Sequence, residues 1–183
     1  MSTAEICRLD RNFIETSSFA DLVADLTERE RVLSSQAVFR IDPVPRVVSV
    51  QARGVTVNFK YLDNGEPRPT WFMPVLRGFA NLAALPEGWD AEVGRKIERA
   101  TINRALAAID QLLPMGAPAP SVVPLQSAGL QIEWHRNQRD LEIEFDPSGT
   151  VEFYYFDETT EEEHEGPVGP SFVYVKPFLQ RIW

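Results

Sequence analysis

The residues from Gly129 onward constrain this chain more than any others, because their alternation admits one strand register. Leu130, Ile132 and Trp134 alternate with Gln131, Glu133 and His135. After an Arg136–Arg139 loop, Leu141, Ile143 and Phe145 alternate with Glu142 and Glu144. Successive side chains in a strand point to opposite faces, so a slip of one residue would turn the whole apolar set to solvent. A four-residue loop pairs Trp134 with Leu141 and Ile132 with Ile143. Asp146-Pro147-Ser148-Gly149 reads as a type I turn with Gly149 in the left-handed position. The three-residue hairpin loop that results pairs Phe145 with Val151 and Ile143 with Phe153. Both hairpins agree on one apolar face, which predicts a three-stranded antiparallel meander.

The same register dictates the other face. It carries Gln131, Glu133 and His135 with Glu142, Glu144 and Glu152, and it sets Glu133 opposite Glu142 and Glu144 opposite Glu152. Like charges directly across a ladder are destabilising. Two such pairs side by side suit a basic protein partner, or a divalent cation held by Glu133, Glu142, Glu144 and Glu152, since Mg²⁺ and Ca²⁺ take oxygen ligands. They also suit a solvated face on which acids discourage edge aggregation and salt screens the repulsion.

Net charge sharpens this. The chain of 183 residues has a formal charge of -9, and Glu133–Glu165 alone holds 12 acids against 2 arginines, a balance of -10. The remainder is close to neutral, with no basic cluster of the kind that phosphate-backbone binding needs, so no nucleic-acid partner is expected. Asp157–Glu165 (DETTEEEHE) carries six acids and no base, and is expected to be an exposed, mobile loop. Glu161, Glu162 and Glu163 in that loop join Glu133, Glu142, Glu144 and Glu152 as expected partner-binding residues.

Elsewhere, Ser17 and Ser18 are placed to cap a helix from Phe19 to about Leu33, followed by strands at Gln36–Ile41, Arg46–Gln51 and Val55–Leu62. Asp63-Asn64-Gly65 is a turn signal, and Thr70–Leu76 is expected to return as a strand, confined to an edge by Pro74. A long amphipathic helix is predicted from about Glu92 to Leu113, with Ile97, Ile102, Ala105, Leu106, Ile109, Leu112 and Leu113 as its buried stripe. Asp90 is expected to cap this helix, with Trp89 docked on the core; alternatively Trp89 and Asp90 line a pocket at the helix start. Pro114–Pro124 reads as an extended connector, and the last turns of Ser171–Trp183 as a docking helix. Together these predict one α+β domain over residues 1–183. It consists of a helical and β-rich portion (1–80), the helix and meander (85–157), the acidic loop (157–170) and the apolar end (171–183).

Leu85-Pro86-Glu87-Gly88-Trp89-Asp90, then Ala128-Gly129-Leu130-Gln131-Ile132-Glu133-Trp134, then Leu141-Glu142-Ile143-Glu144 carry a resemblance. The stretch from Leu85 to about Tyr155 resembles a group of small uncharacterised bacterial proteins that share LPxxWD, an amphipathic helix, a proline-rich connector, GG(I/L)QLEW and LEIE. This chain departs from that pattern after Asp90, where Ala-Glu-Val-Gly stands in place of a Tyr-Gly-Ala turn, and at Ala128, where the group has glycine. The resemblance implies a fold and no particular activity.

Catalytic schemes are scarce. The chain has no P-loop, GxGxxG or GxSxG pattern, and no cofactor is expected. His135 and His164 lack HExxH or Cys/His spacing, so no zinc site is expected. A single cysteine, Cys7, cannot close an internal disulfide, which agrees with a reducing compartment. The opening MSTAEICRLDRNF lacks the basic start and apolar run of a secretory leader, and no apolar stretch is long enough to span a membrane, so a cytoplasmic location is expected. The leading expectation is therefore a non-catalytic binding protein of a bacterial stress, mobile-element or toxin-control system, comparable by analogy with small acidic antitoxins. A metal-dependent, hydrolase-like enzyme built on the carboxylate cluster and a structural oligomer subunit are the alternatives.

Overall fold

The computed structural model describes residues 3–9, 43–169 and 171–183. The expected helix from Phe19 to Leu33, its Ser17 and Ser18 caps and the strand Gln36–Ile41 lie outside them. In chain order the elements are β1 (Thr3–Leu9), β2 (Val44–Ala52), β3 (Val55–Asp63), α1 (Phe72–Ala83), α2 (Arg99–Leu112), β4 (Ser121–Pro124), β5 (Leu130–Arg136), β6 (Arg139–Phe145), β7 (Val151–Asp157), β8 (Glu162–Pro167) and α3 (Lys176–Ile182). The class is α+β, with two sheets ordered β1-β3-β2 and β4-β5-β6-β7-β8.

In the first sheet, Arg53 and Gly54 both take positive φ (48° and 77°), the two-residue turn whose twist matches a right-handed hairpin. It pairs β2 with β3 antiparallel, Val50 opposite Val57 and Val48 opposite Phe59. Val57, Phe59 and Tyr61, which alternate in sequence with Asn58 and Lys60, face the core. β1 adds to the far side of β3 in parallel.

Thr70–Leu76 is not a strand. The chain turns at Thr70-Trp71 and runs as helix from Phe72 to Ala83. Pro74 does no harm there, because it sits in the first turn, where the N–H has no intrahelical acceptor. Phe72, Val75, Leu76, Phe79, Ala80 and Leu82 are buried, a helical spacing that the proline disguises. α1 packs on β2 and β3 and also on β4, and so joins the two sheets.

The second helix is shorter than its apolar stripe suggests. It begins at Arg99, and Ala91 and Glu92 take positive φ (47° and 74°), which no helix tolerates. The reason is tertiary. The Trp89 indole packs against Gly94, where an added Cβ would sit 2.6 Å from the ring, and donates to the Arg95 carbonyl at 3.0 Å. Gly94→Ala is therefore expected to push the ring off its seat and cost about 1–3 kcal/mol, read as a lower melting temperature with red-shifted tryptophan emission. An unchanged melt would show that the ring is not held there.

The meander holds its register and gains two strands. Trp134 pairs with Leu141, Ile132 with Ile143, Phe145 with Val151 and Ile143 with Phe153. The first loop is tighter than expected, since Arg136 pairs with Arg139 and only Asn137 and Gln138, at φ 54° and 59°, form the turn. Gly149 takes φ 108° in the second. β4 falls within the expected connector and pairs with β5, because Trp71 and Trp134 pin the flanking chain by donating to the carbonyls of Pro114 (2.9 Å) and Pro118 (3.1 Å). α2 and α3 both contact β6 from the apolar side, and Phe178 of α3 lies 4.6 Å from Tyr155 and 5.5 Å from Phe153 between ring centroids. A single buried cluster runs from Val50 to Ile182. Among the described residues no helix is long and apolar enough to cross a membrane.

Candidate functional site

With the helices on one face of the second sheet, the alternate residues of β5–β8 form the other. Strand pairing aligns Glu133 with Glu142, Gln131 with Glu144, His135 with Asp140, Glu144 with Glu152, Tyr154 with Glu165 and Phe156 with Glu163. Both like-charged pairs deduced from the alternation are present. The acids predicted for this face from one strand after another thus lie together: Glu133, Glu142, Glu144 and Glu152, with Glu163 brought to the same face by β8. Asp140 and Glu165 join them.

At one end, a histidine sits among the acids. His135 Nδ1 lies 2.7 Å from an Asp140 oxygen, and its Nε2 lies 3.5 Å from a Glu133 oxygen. The Asp140 hydrogen bond raises the His135 pKa above its ordinary value; burial opposes this, and Glu133 adds to it. Donor atoms of Glu133, His135 and Glu142 all fall within 4.8 Å of one another. At the other end, Glu144 and Glu152 adjoin Asp146 beside the β6–β7 turn. Partial burial lifts the Glu144 pKa, and the negative charges of Asp146, Glu152 and Glu142 lift it further. Between these ends is a shallow depression walled by Gln131, Glu142, Glu144, Glu152, Tyr154 and Glu165. Of the four carboxylates offered as an alternative metal set, Glu133 and Glu142 converge with His135, Glu144 and Glu152 with Asp146, and Glu142, Glu144 and Glu152 share the depression between them.

The acidic loop is the largest correction. Only residues 158–161 turn the chain, and Glu162–Pro167 forms β8, paired along β7. Ladder bonds are made by backbone, and a charged edge strand is a common protection against further pairing. Three expected partner-binding residues therefore separate. Glu161 is exposed in the turn with φ 56°. Glu162 points to the helix side, accepting from Arg181 of α3 at 2.8 Å and contacting His164 at 2.7 Å; His164 and then Arg181 hold its carboxyl below the usual range. Glu163 lies on the outer face beside Tyr154.

Glu162 belongs to a latch for the C-terminal helix. Asp157 is buried and accepts from Arg139 Nε at 2.6 Å and from the Thr159 N–H at 2.9 Å. Asn137 donates to the Ile182 carbonyl at 3.0 Å. This pair escaped the sequence reading because Asp157 is polar at an inward position, a mismatch with the alternation that was itself the available signal.

Trp89 and Asp90 organise a loop. Asp90 does not cap α2, whose N-cap is Glu98; its carboxylate accepts instead from the Gln126 side chain. Tyr174 and Trp183 near the C-terminus are exposed, at 72% and 40%. The convergence of His135 with the carboxylates was also missed, although Glu133-x-His135 on one strand face with Asp140 across the turn is its sequence trace. No family model, curated protein or solved structure matches the chain.

Proposed function

We propose that this chain is a non-catalytic binding protein whose outer face on β5–β8 engages a basic protein surface. One observation carries the reading: Glu133, Asp140, Glu142, Glu144, Glu152, Glu163 and Glu165 stand on one side of one sheet. These strands contribute no lysine; of their two arginines, Arg139 is turned to the opposite side by Asp157, and Arg136 ends β5 in the same alternation as Trp134, opposite Arg139. A field of one sign over a rigid sheet raises the encounter rate with oppositely charged partners and weakens with salt. It also repels phosphate backbones, which weighs against nucleic acid.

The test is titration of the labelled protein with a lysine- and arginine-rich peptide, followed by amide shifts. Shifts concentrated on β5–β8 and lost as salt rises are expected. Replacing Glu142 and Glu144 together by Gln should lower the affinity while leaving the free protein equally or slightly more stable, because each relieves repulsion across the ladder. Shifts scattered over the whole surface, or undiminished binding by that variant, would reduce the face to a solvated one.

A further inference from the structure

The Glu133–His135–Glu142 cluster differs in kind from the broad acidic face, since it brings one nitrogen and two oxygen donors towards one point. A first-row cation with ligands at about 2.0–2.2 Å needs its donor atoms roughly 3–4 Å apart. His135 Nε2 and Glu133 Oε2 already stand 3.5 Å apart, and the whole set lies within 4.8 Å. The imidazole is oriented for this: Asp140 holds Nδ1 at 2.7 Å and leaves Nε2 towards Glu133. Metal-bound histidines use the same arrangement, in which the second nitrogen is held by a carboxylate that sets tautomer and ring angle. Among the described residues no arginine or lysine pairs with Glu133 or Glu142, although the two are directly opposed across the ladder. Glu133 is also substantially covered, its side chain 20% exposed, whereas His135 at 50% leaves a path for an ion to enter.

We propose that Glu133, His135 and Glu142 bind one divalent cation of the Zn²⁺ or Mn²⁺ type, with Asp140 as a positioning residue. The imidazole decides the class: Mg²⁺ and Ca²⁺ favour all-oxygen shells, while imidazole suits the transition metals. Three protein ligands leave positions for water, as in open sites. This site needs nothing from the basic partner proposed above, and either reading stands if the other fails.

Calorimetric titration of the full chain with Zn²⁺ alone, and separately with Mn²⁺ alone, tests it. One saturable site is expected, tighter for Zn²⁺ than for Mn²⁺ and at least about tenfold weaker for Mg²⁺. His135→Ala and Glu142→Gln should each abolish it, and Asp140→Asn should weaken it by about 10–100-fold. His164→Ala and Glu152→Gln should retain it, which separates the site from the other histidine and from general acidity. Circular dichroism on each variant establishes that it is folded. No saturable binding at millimolar Zn²⁺ would overturn the proposal. So would binding that survives His135→Ala, or that falls as much with Glu152→Gln as with Glu142→Gln.

Discussion

Trp134→Ala is expected to lower stability by about 3–5 kcal/mol, and with it the melting temperature by roughly 6–20 °C. Trp134 lies on the second sheet's apolar face, 2% exposed, paired with Leu141 across the ladder. Truncation removes the largest side chain of β5 and leaves a cavity that the neighbouring strands, held by their own hydrogen bonds, cannot close. It also removes the indole donor to the Pro118 carbonyl, which fixes the chain leading into β4. Trp134→Phe should recover most of the volume but not that hydrogen bond, and should fall between the two. Urea melts of the three proteins provide the measurement; a loss below about 1 kcal/mol for the alanine variant would contradict the packing on which both hairpins depend.

Asp157→Ala is expected to be the most disruptive change of a charged residue. Removing one member of a covered ion pair leaves the other without its counter-charge, a costlier state than either the intact pair or an apolar replacement of both. Here Arg139, the Thr159 N–H and the nearby Tyr155 hydroxyl would all lose their acceptor. Arg139 also donates to the Arg181 carbonyl, so the C-terminal helix should loosen with the pair. Amide hydrogen exchange in Lys176–Ile182 should rise, and the melting temperature should fall by several degrees. Arg139→Met with Asp157→Leu should recover part of the loss.

The pH dependence has a definite sign. The Arg139 guanidinium, aided by the Thr159 N–H, holds the Asp157 carboxyl below its usual range, against the opposing effect of burial. A carboxyl whose folded pKa is depressed binds fewer protons in the native state than in the unfolded chain. Its stabilisation is therefore fully present above the unfolded value of about 4 and disappears as pH falls through the lower folded value. The stability gap between the parent protein and Asp157→Asn should be constant from neutral pH down to about 5 and narrow below about 4. Glu162, depressed by His164 and Arg181, should contribute in the same acid window. A gap that stays constant to pH 2 would mean that Asp157 acts through its shape alone.

Local pattern accounts for the parts that were legible beforehand. The strand period of two, with a turn signal at each end, determined the register of β5, β6 and β7 and the two glutamate pairs across it. It determined the core face of β3 in the same way, because any slip would expose a full row of apolar side chains. The apolar spacing of Ile102, Ala105, Leu106 and Ile109 likewise determined the body of α2.

Tertiary structure decided what local pattern left degenerate. Phe72–Leu76 suits a strand as well as a helix until Phe79, Ala80 and Leu82 are buried with it between two sheets. Residues 91–98 stay out of the helix, where Ala91 and Glu92 take positive φ and the Trp89 ring occupies the space over Gly94. The glutamates of β8 form a strand because the exposed edge of β7 supplies backbone partners and Arg181 supplies a counter-charge, neither of them local in sequence. The same holds for the candidate site. Its carboxylates were countable in the chain, but the meeting of His135 with Glu142 and Asp140 is a cross-strand event. Distances between donor atoms on neighbouring strands are set by the twist of the sheet and the side-chain rotamers, which only the folded chain defines.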